Sequence, residues 1–117
     1  MSMTHGDTVP IQTTITNLPA GGLTGCSFWF TAKYFPTDAD SAAAIQKLPV
    51  SFTVLTVGSN TVPGVVQVIL SSSDTASLPY YTLLMTWDIQ MKDSLGNIYT
   101  VDSGTLRISP DMTRTTT

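Results

Sequence analysis

Alternation of apolar and polar residues is the main pattern along this chain. In the stretch WDIQMK (87–92), large apolar residues occupy the odd positions, and Asp88, Gln90 and Lys92 occupy the even ones. Successive side chains of a β-strand point to opposite faces. The stretch therefore predicts a strand with one buried face and with Asp88, Gln90 and Lys92 on the solvent side.

The same alternation recurs between clusters of Gly, Pro, Asn, Ser and Asp, which are typical of turns. Seven strands are predicted, at residues 8–16, 26–35, 50–57, 65–70, 80–91, 98–101 and 105–109. Pro10 lacks a backbone donor, so the first strand is expected at an edge. In the second strand both phases contain apolar residues, and side-chain bulk favours Phe28, Phe30, Ala32 and Tyr34 as the buried set. Strands at this spacing predict an all-β, antiparallel β-sandwich.

One helix is predicted, near residues 38–47. In the segment TDADSAAAIQK, Asp38 or Asp40 is a candidate N-cap, three consecutive alanines follow, and Leu48-Pro49 ends the helix. We expect two or three turns that bridge two strands. The loop at 71–79 is a weaker candidate, with at most one helical turn begun by Ser73 or Asp74.

Length predicts a single domain spanning residues 1–117, with a polar N-terminal arm (1–8) and a polar C-terminal tail (110–117). The sequence before the first strand lacks the basic and apolar regions of a secretory signal. No apolar stretch is long enough to predict a membrane span. Cys26 is the single cysteine, which excludes an intrachain disulfide, and its apolar neighbours favour a small buried side chain.

Charge is scarce, because only 11% of the residues are Asp, Glu, Lys or Arg, where about 25% is typical. The net charge is -3 with no basic cluster, which argues against nucleic-acid binding. Two explanations fit so neutral a surface. Neighbouring subunits cover much of it, since charge is depleted in interface cores, or threonine and serine hydroxyls keep a free protein soluble.

Candidate catalytic and metal-binding residues lack the required spacing. His5 is the only histidine and is expected to be a solvated terminal residue, which argues against a Ser-His-Asp arrangement. The segments 38–41 and 73–77 resemble parts of calcium loops, but without any Glu they are better explained as helix caps. Asp93 and Asp102 are interpreted as turn formers. No catalytic, cofactor-binding or metal-binding residue is predicted.

Aromatic residues suggest one alternative, a platform on which a sugar could stack. The candidates are Trp29, Trp87, Tyr80, Tyr81 and Tyr99. Aromatic residues in a sandwich more often belong to the core, so carbohydrate binding is the second hypothesis.

Several motifs resemble a family of small bacteriophage structural proteins. They are GDT near the start, LTG before the second strand, the Asp- and Ala-rich segment, and the run DIQMKDSLGNIYTVDSGTLRISPDMTR. Together they resemble the immunoglobulin-like N-terminal domain of phage baseplate upper proteins and its stand-alone relatives. The resemblance implies an immunoglobulin-like sandwich and a role in the virion.

The sequence therefore predicts a non-enzymatic structural protein of a bacteriophage, made in the bacterial cytoplasm and located in the virion as a tail, baseplate, neck or capsid accessory component. Its expected partners are other virion proteins and copies of itself, with no cofactor, nucleic acid or membrane. The alternatives are a carbohydrate- or receptor-binding module on the virion, an enzyme, and a bacterial adhesion module. The predicted interaction residues are Thr8, Pro10, Tyr81, Tyr99, Pro110, Met112 and Arg114.

Overall fold

Eight β-strands form two packed sheets in the described part of the chain. A computed structural model describes residues 1–16, 18–19, 21–35, 37–59, 61–79 and 81–110. The strands are β1 (Ser2–Thr4), β2 (Val9–Ile15), β3 (Ser27–Lys33), β4 (Ile45–Lys47), β5 (Phe52–Thr56), β6 (Gly64–Leu70), β7 (Leu83–Lys92) and β8 (Ile98–Ser109). A single-turn helix, α1, spans Ser72–Thr75.

The larger sheet has the strand order β1-β8-β7-β3-β4, and the smaller sheet has the order β2-β6-β5. All neighbouring strands are antiparallel except β1 and β8, which are parallel. The prediction of an all-β sandwich is confirmed.

The core lies between the two sheets and follows the predicted alternation. In β3, Phe28, Phe30 and Ala32 are buried, which confirms the phase that bulk favoured, whereas Tyr34 lies beyond the strand and is exposed. The ring of Phe30 stacks on Trp87, with centroids 5.7 Å apart. Burying each large side chain contributes roughly 2 kcal/mol, so this apolar layer is what holds the sheets together.

The predicted turn at Asp102–Gly104 is wrong, because β8 runs unbroken through it. Asp102 accepts a hydrogen bond from the Thr13 hydroxyl of the other sheet, at 3.0 Å. Gly104 pairs with Trp87, and a Cβ at position 104 would lie 3.2 Å from the indole ring. These two residues therefore serve contacts between strands and sheets, which a local turn pattern does not distinguish.

The predicted helix near 38–47 is also wrong. A 3-10 turn at Asp40–Ala42 is followed by β4, and a second 3-10 turn covers Pro49–Ser51. Ile45 pairs with Ala32 and is 3% exposed. Pairing with β3 buries Ile45 and forms ladder hydrogen bonds, whereas three alanines are too few to nucleate a stable helix. The helix α1 lies instead in the loop after β6, and its N-cap is Ser71 rather than Ser73 or Asp74.

The N-terminal segment folds onto the larger sheet instead of forming an arm. Ser2–Thr4 pair with β8, and Met3 is 5% exposed. His5 is 2% exposed and donates a hydrogen bond from Nε2 to the Leu78 carbonyl at 3.1 Å. The prediction of a solvated His5 is therefore wrong. The alternation of Met3 and His5 with small polar residues is itself a short strand pattern.

Candidate functional site

The predicted interaction residues do not converge on one site. Five of them lie in the described part of the chain, and all five are exposed: Thr8, Pro10, Tyr81, Tyr99 and Pro110. The other two, Met112 and Arg114, lie outside the described residues.

The two tyrosines occupy opposite ends of the larger sheet. Tyr81 lies just before Leu83, the first residue of β7, whereas Tyr99 pairs with Met91 near the end of that strand. Eight residues separate these positions along β7, which corresponds to about 26 Å at 3.3 Å per residue. Tyr81 and Tyr99 therefore do not form one aromatic patch.

Tyr99 lies in a cleft of about 600 Å³ at the end of the sandwich where β8 begins. Its walls include Ile15, Leu18 and Pro19 from the segment after β2. Tyr81 instead lies close to Tyr34, whose hydroxyl pKa is raised by burial and, to a smaller extent, by Tyr81. Each tyrosine thus belongs to a different surface.

Asp93 organises the hairpin between β7 and β8, which confirms its predicted role in a turn. Its carboxylate accepts hydrogen bonds from the backbone of Leu95 and of Asn97, both at 2.9 Å, and from the Asn97 side chain at 3.3 Å. Burial acts to raise the pKa of Asp93, but these hydrogen bonds outweigh it and lower the pKa. A carboxylate used in this way is a structural group.

Asp74 joins α1 to strand β4. The backbone N–H of Ser71 donates to its carboxylate at 2.7 Å, and Lys47 forms an ion pair with it at 2.9 Å. Burial acts to raise the pKa of Asp74, but the bonds from Ser71 and Lys47 are stronger in sum and lower it. This pair holds the edge strand β4 against the loop that leads into β7.

Cys26 has the environment of a structural thiol. Its pKa is raised, first by burial and second by the nearby charge of Asp93. Its Sγ lies 3.9 Å from the Gly22 carbonyl oxygen. Because the thiolate is the reactive form, a raised pKa makes this cysteine a poor nucleophile.

The smaller sheet contains no charged residue. Its strands read VPIQTTI, FTVLT and GVVQVIL, and the chain has no Asp, Glu, Lys, Arg or His between Lys47 and Asp74. The larger sheet, by contrast, carries charges on three of its long strands, including Lys33, Asp88 and Arg107. The uncharged run is visible in the sequence, and the fold gathers it onto one side of the molecule.

The outer face of the smaller sheet mixes hydroxyl, amide and apolar groups. Gln12 and Gln67 are cross-strand partners joined by a side-chain hydrogen bond of 3.2 Å. Pro10 is the partner of Ile69, which is 44% exposed. The predicted residue Pro10 therefore belongs to this face. A neutral face with exposed apolar groups is typical of the centre of a protein interface.

Strand β5 forms one edge of that sheet, and its apolar residues after the half-buried Phe52 are exposed. Val54 is 42% exposed and Leu55 is 47% exposed, with Val57 just beyond the strand at 48%. One side of β5 pairs with β6, and in the described part of the chain no strand pairs with the other. Its outer backbone groups are therefore available to a further strand.

The outer face of the larger sheet is a shallow groove of about 820 Å³. Two rows of side chains cross it from strand to strand: Gln46, Thr31, Asp88 and Ser103 in one row, and Trp29, Gln90 and Thr100 in the next. Neighbouring strands are about 4.8 Å apart. The groove therefore presents the half-buried indole of Trp29 beside regularly spaced hydroxyl, amide and carboxylate groups, with the half-buried Trp87 also in its lining.

Of the other predicted aromatic candidates, Trp87 uses its ring against Phe30 and donates from Nε1 to the Thr105 carbonyl at 3.3 Å. Tyr80 lies outside the described residues. Trp29 lies on the face of β3 opposite the buried Phe28 and Phe30, and both Trp29 and Trp87 line the groove.

Comparisons with protein-family models, with curated proteins and with solved structures found no significant match. Among the described residues, no three His, Cys, Asp or Glu side chains are grouped closely enough to hold a metal ion. The described helices are all too short to cross a membrane.

Proposed function

We propose that this protein is a non-enzymatic structural subunit of a bacteriophage particle, held in a larger assembly through its smaller sheet. The observation that carries the proposal is the absence of charge from all three strands of that sheet. Desolvating charged groups is costly, so a face without them loses little free energy when a partner covers it. The virion assignment and the immunoglobulin-like relationship rest on the sequence resemblance, with which an all-β sandwich agrees.

The contact surface has two components. The outer face contributes shape and apolar area through Ile69 and its neighbours, and the edge of β5 offers main-chain donors and acceptors. Strand addition provides affinity through the main chain, whereas side chains provide specificity. Partners of this kind are other virion proteins or further copies of the chain.

The test is incorporation into particles, measured by mass spectrometry of phage particles purified from the bacterial host. Gln67→Lys places a charge at the centre of the smaller sheet, and Gln90→Lys is the matched control on the central part of the larger sheet. Both glutamines are half-buried on an outer face. We expect wild type and Gln90→Lys in the particles and strong depletion of Gln67→Lys. Particles that lack the wild-type protein would contradict the proposal, as would equal incorporation of both variants.

The C-terminal tail supplies a second test of the predicted contacts. Truncation after Pro110 removes Met112 and Arg114 and leaves all eight described strands intact. A fall in incorporation without a loss of folding is the result expected for a contact segment. An N-terminal deletion does not test the same idea, because residues 2–5 are part of the fold.

A second candidate function is glycan binding in the groove of the larger sheet. The observation that favours it is the half-buried Trp29 beside the two rows of hydrogen-bonding side chains. Sugars present an apolar face that stacks on an indole, and their hydroxyls form hydrogen bonds with amide and carboxylate groups. The groove also has the volume that is usual for small-ligand pockets, about 300–1,000 Å³. Glycan-array binding that disappears in Trp29→Ala and persists in Tyr99→Ala would support this function. No binding by the wild type would remove it.

A further inference from the structure

We infer that β5 pairs with β5 of a second copy of this chain, in an antiparallel arrangement about a two-fold axis. The inference rests on the proposed function and names one partner for the same surface. Each copy contributes three strands, and together they form a continuous six-stranded sheet.

The first argument comes from comparing the four sheet edges in the described part of the chain. Natural proteins protect edges with short strands, proline, β-bulges or inward-pointing charge. Strand β1 is three residues long, and β2 contains Pro10. Strand β4 is also three residues long, and its Lys47 lies opposite the buried Phe30. Three edges therefore carry a device against strand addition.

Strand β5 carries only one of these devices, a bulge. It has five residues, FTVLT, with neither proline nor charge. Four of the five are β-branched or aromatic, a composition that suits a pleated strand. A bulge between Val54 and Thr56 is its one irregularity. An exposed apolar edge of this kind is a site of aggregation unless it has a partner.

The second argument concerns charge and selects a second copy as that partner. About a two-fold axis the edge pairs with itself, residue i opposite residue j and j opposite i, so a charge near the axis would lie close to the same charge of the second copy. The 26 residues from Leu48 to Ser73 contain no charged side chain. Two copies of the β5 edge can therefore pair without repulsion between like charges. Two copies of the β4 edge would bring their Lys47 residues close together.

The third argument concerns the side chains that meet across such a junction. With the axis near Val54, the two copies of Val54 face each other, and Phe52 lies opposite Thr56 of the second copy. These are aromatic–β-branched and β-branched pairs, which are among the favourable cross-strand pairs. The exposed sides of Val54 and Leu55 become buried in the junction.

Light scattering on the purified full chain, over a series of concentrations, tests the inference. We expect a mass that rises to twice that of the monomer. Val54→Lys and Leu55→Lys should each raise the dissociation constant at least about tenfold. The control is Leu84→Lys, which adds the same charge at a residue that is 67% exposed on the central strand β7. This control should leave the dissociation constant unchanged.

Disulfide cross-linking identifies the paired strand directly. Thr53→Cys, Val54→Cys and Leu55→Cys are made one at a time together with Cys26→Ser, so that each protein has one thiol. Under mild oxidation at least one of them should form a disulfide-linked dimer. Leu84→Cys in the same background should not.

A wild type that stays monomeric and forms no cross-link from β5 overturns the inference. So does a dimer that the two lysine variants leave intact. If that happens while Gln67→Lys still prevents incorporation into particles, the proposed function stands with a different partner. A dimer through β5 in a protein that is missing from particles supports the inference and contradicts the proposed function.

Discussion

The two sheets of this sandwich share one core but differ in their outer surfaces. The smaller sheet is free of charge and ends in the apolar edge β5, whereas the larger sheet bears Lys33, Asp88 and Arg107 and ends in the short strands β1 and β4. The core requires apolar inner faces from both sheets, so stability does not explain the difference. Outer surfaces are free to vary, and depletion of charge is typical of the core of a protein interface.

The largest expected effect is on stability, and it distinguishes a substitution on the inner face of the smaller sheet from one on its outer face. Val66 is 1% exposed, and Val66→Lys should reduce the free energy of unfolding by about 4 kcal/mol or more, because it buries an unpaired charge. Gln67→Lys, at the next residue, should change it by less than about 0.5 kcal/mol. Urea denaturation measures both. A large loss in Gln67→Lys would mean that the outer face supports the fold rather than a contact.

The second-largest effect on stability is expected in β1, the N-terminal strand of the larger sheet. Met3→Ala should reduce the free energy of unfolding by about 2 kcal/mol, because Met3 is 5% exposed and its removal leaves a cavity. Ser2→Ala is the control on the same strand, where the side chain is exposed. Thermal denaturation of the two variants gives the comparison. Equal stability would show that β1 is not part of the folded sheet.

The ion pair at the β4 edge gives a smaller and pH-dependent effect. Asp74→Asn should lower the free energy of unfolding by about 1–2 kcal/mol at pH 7, since it removes a charged hydrogen-bond acceptor. The folded-state pKa of Asp74 lies below its ordinary value of 3.8. Its stabilisation is therefore complete above about pH 3.8 and is lost as the pH falls through the lower, folded-state pKa.

Denaturation of wild type and Asp74→Asn should accordingly differ at pH 7 and converge in more acidic solution. Lys47→Met removes the same ion pair from the other side and should show the same trend. A difference that stays constant down to pH 2 would mean that the carboxylate charge does not stabilise this edge.

The smallest effect is expected at the β5 edge. Val54→Lys should change the free energy of unfolding of the monomer by less than about 1 kcal/mol, because the side chain is 42% exposed and the lysine ammonium can reach water. Ile45→Lys, on the β4 edge, should cost considerably more because Ile45 is 3% exposed. Measurements at low protein concentration separate this effect from association. A Val54→Lys loss as large as that of Ile45→Lys would place Val54 in the core.

Much of this fold follows from local patterns. The alternation around Trp87 and Met91 predicted the central strand of the larger sheet, β7, since a period of two identifies a strand without any knowledge of its neighbours. The helix near 38–47 failed because Ile45 gains more from pairing with β3 than its neighbours gain from helix propensity. The stabilisation that Ile45 gains from pairing depends on β3, which lies more than ten residues away in the sequence, so a local pattern does not show it.

The surfaces were less predictable than the strands. Asp102 and Gly104 looked like turn residues, and their partners Thr13 and Trp87 are distant in sequence. The uncharged run from 48 to 73 was visible, but which strand forms an exposed edge depends on the order of strands in the sheet. The predicted tyrosines are exposed as expected but are separated by the length of β7, because sequence does not give distance across a sheet.

Hydrogen–deuterium exchange of the free protein and of the phage particle in which we propose it assembles tests the central claim most directly. We expect the backbone amides of β5 to become strongly protected in the particle, with little change at Thr100–Thr105 in the groove of the larger sheet. Protection confined to that groove, with β5 exchanging as fast as in the free protein, would contradict the assignment of the uncharged sheet as the contact surface.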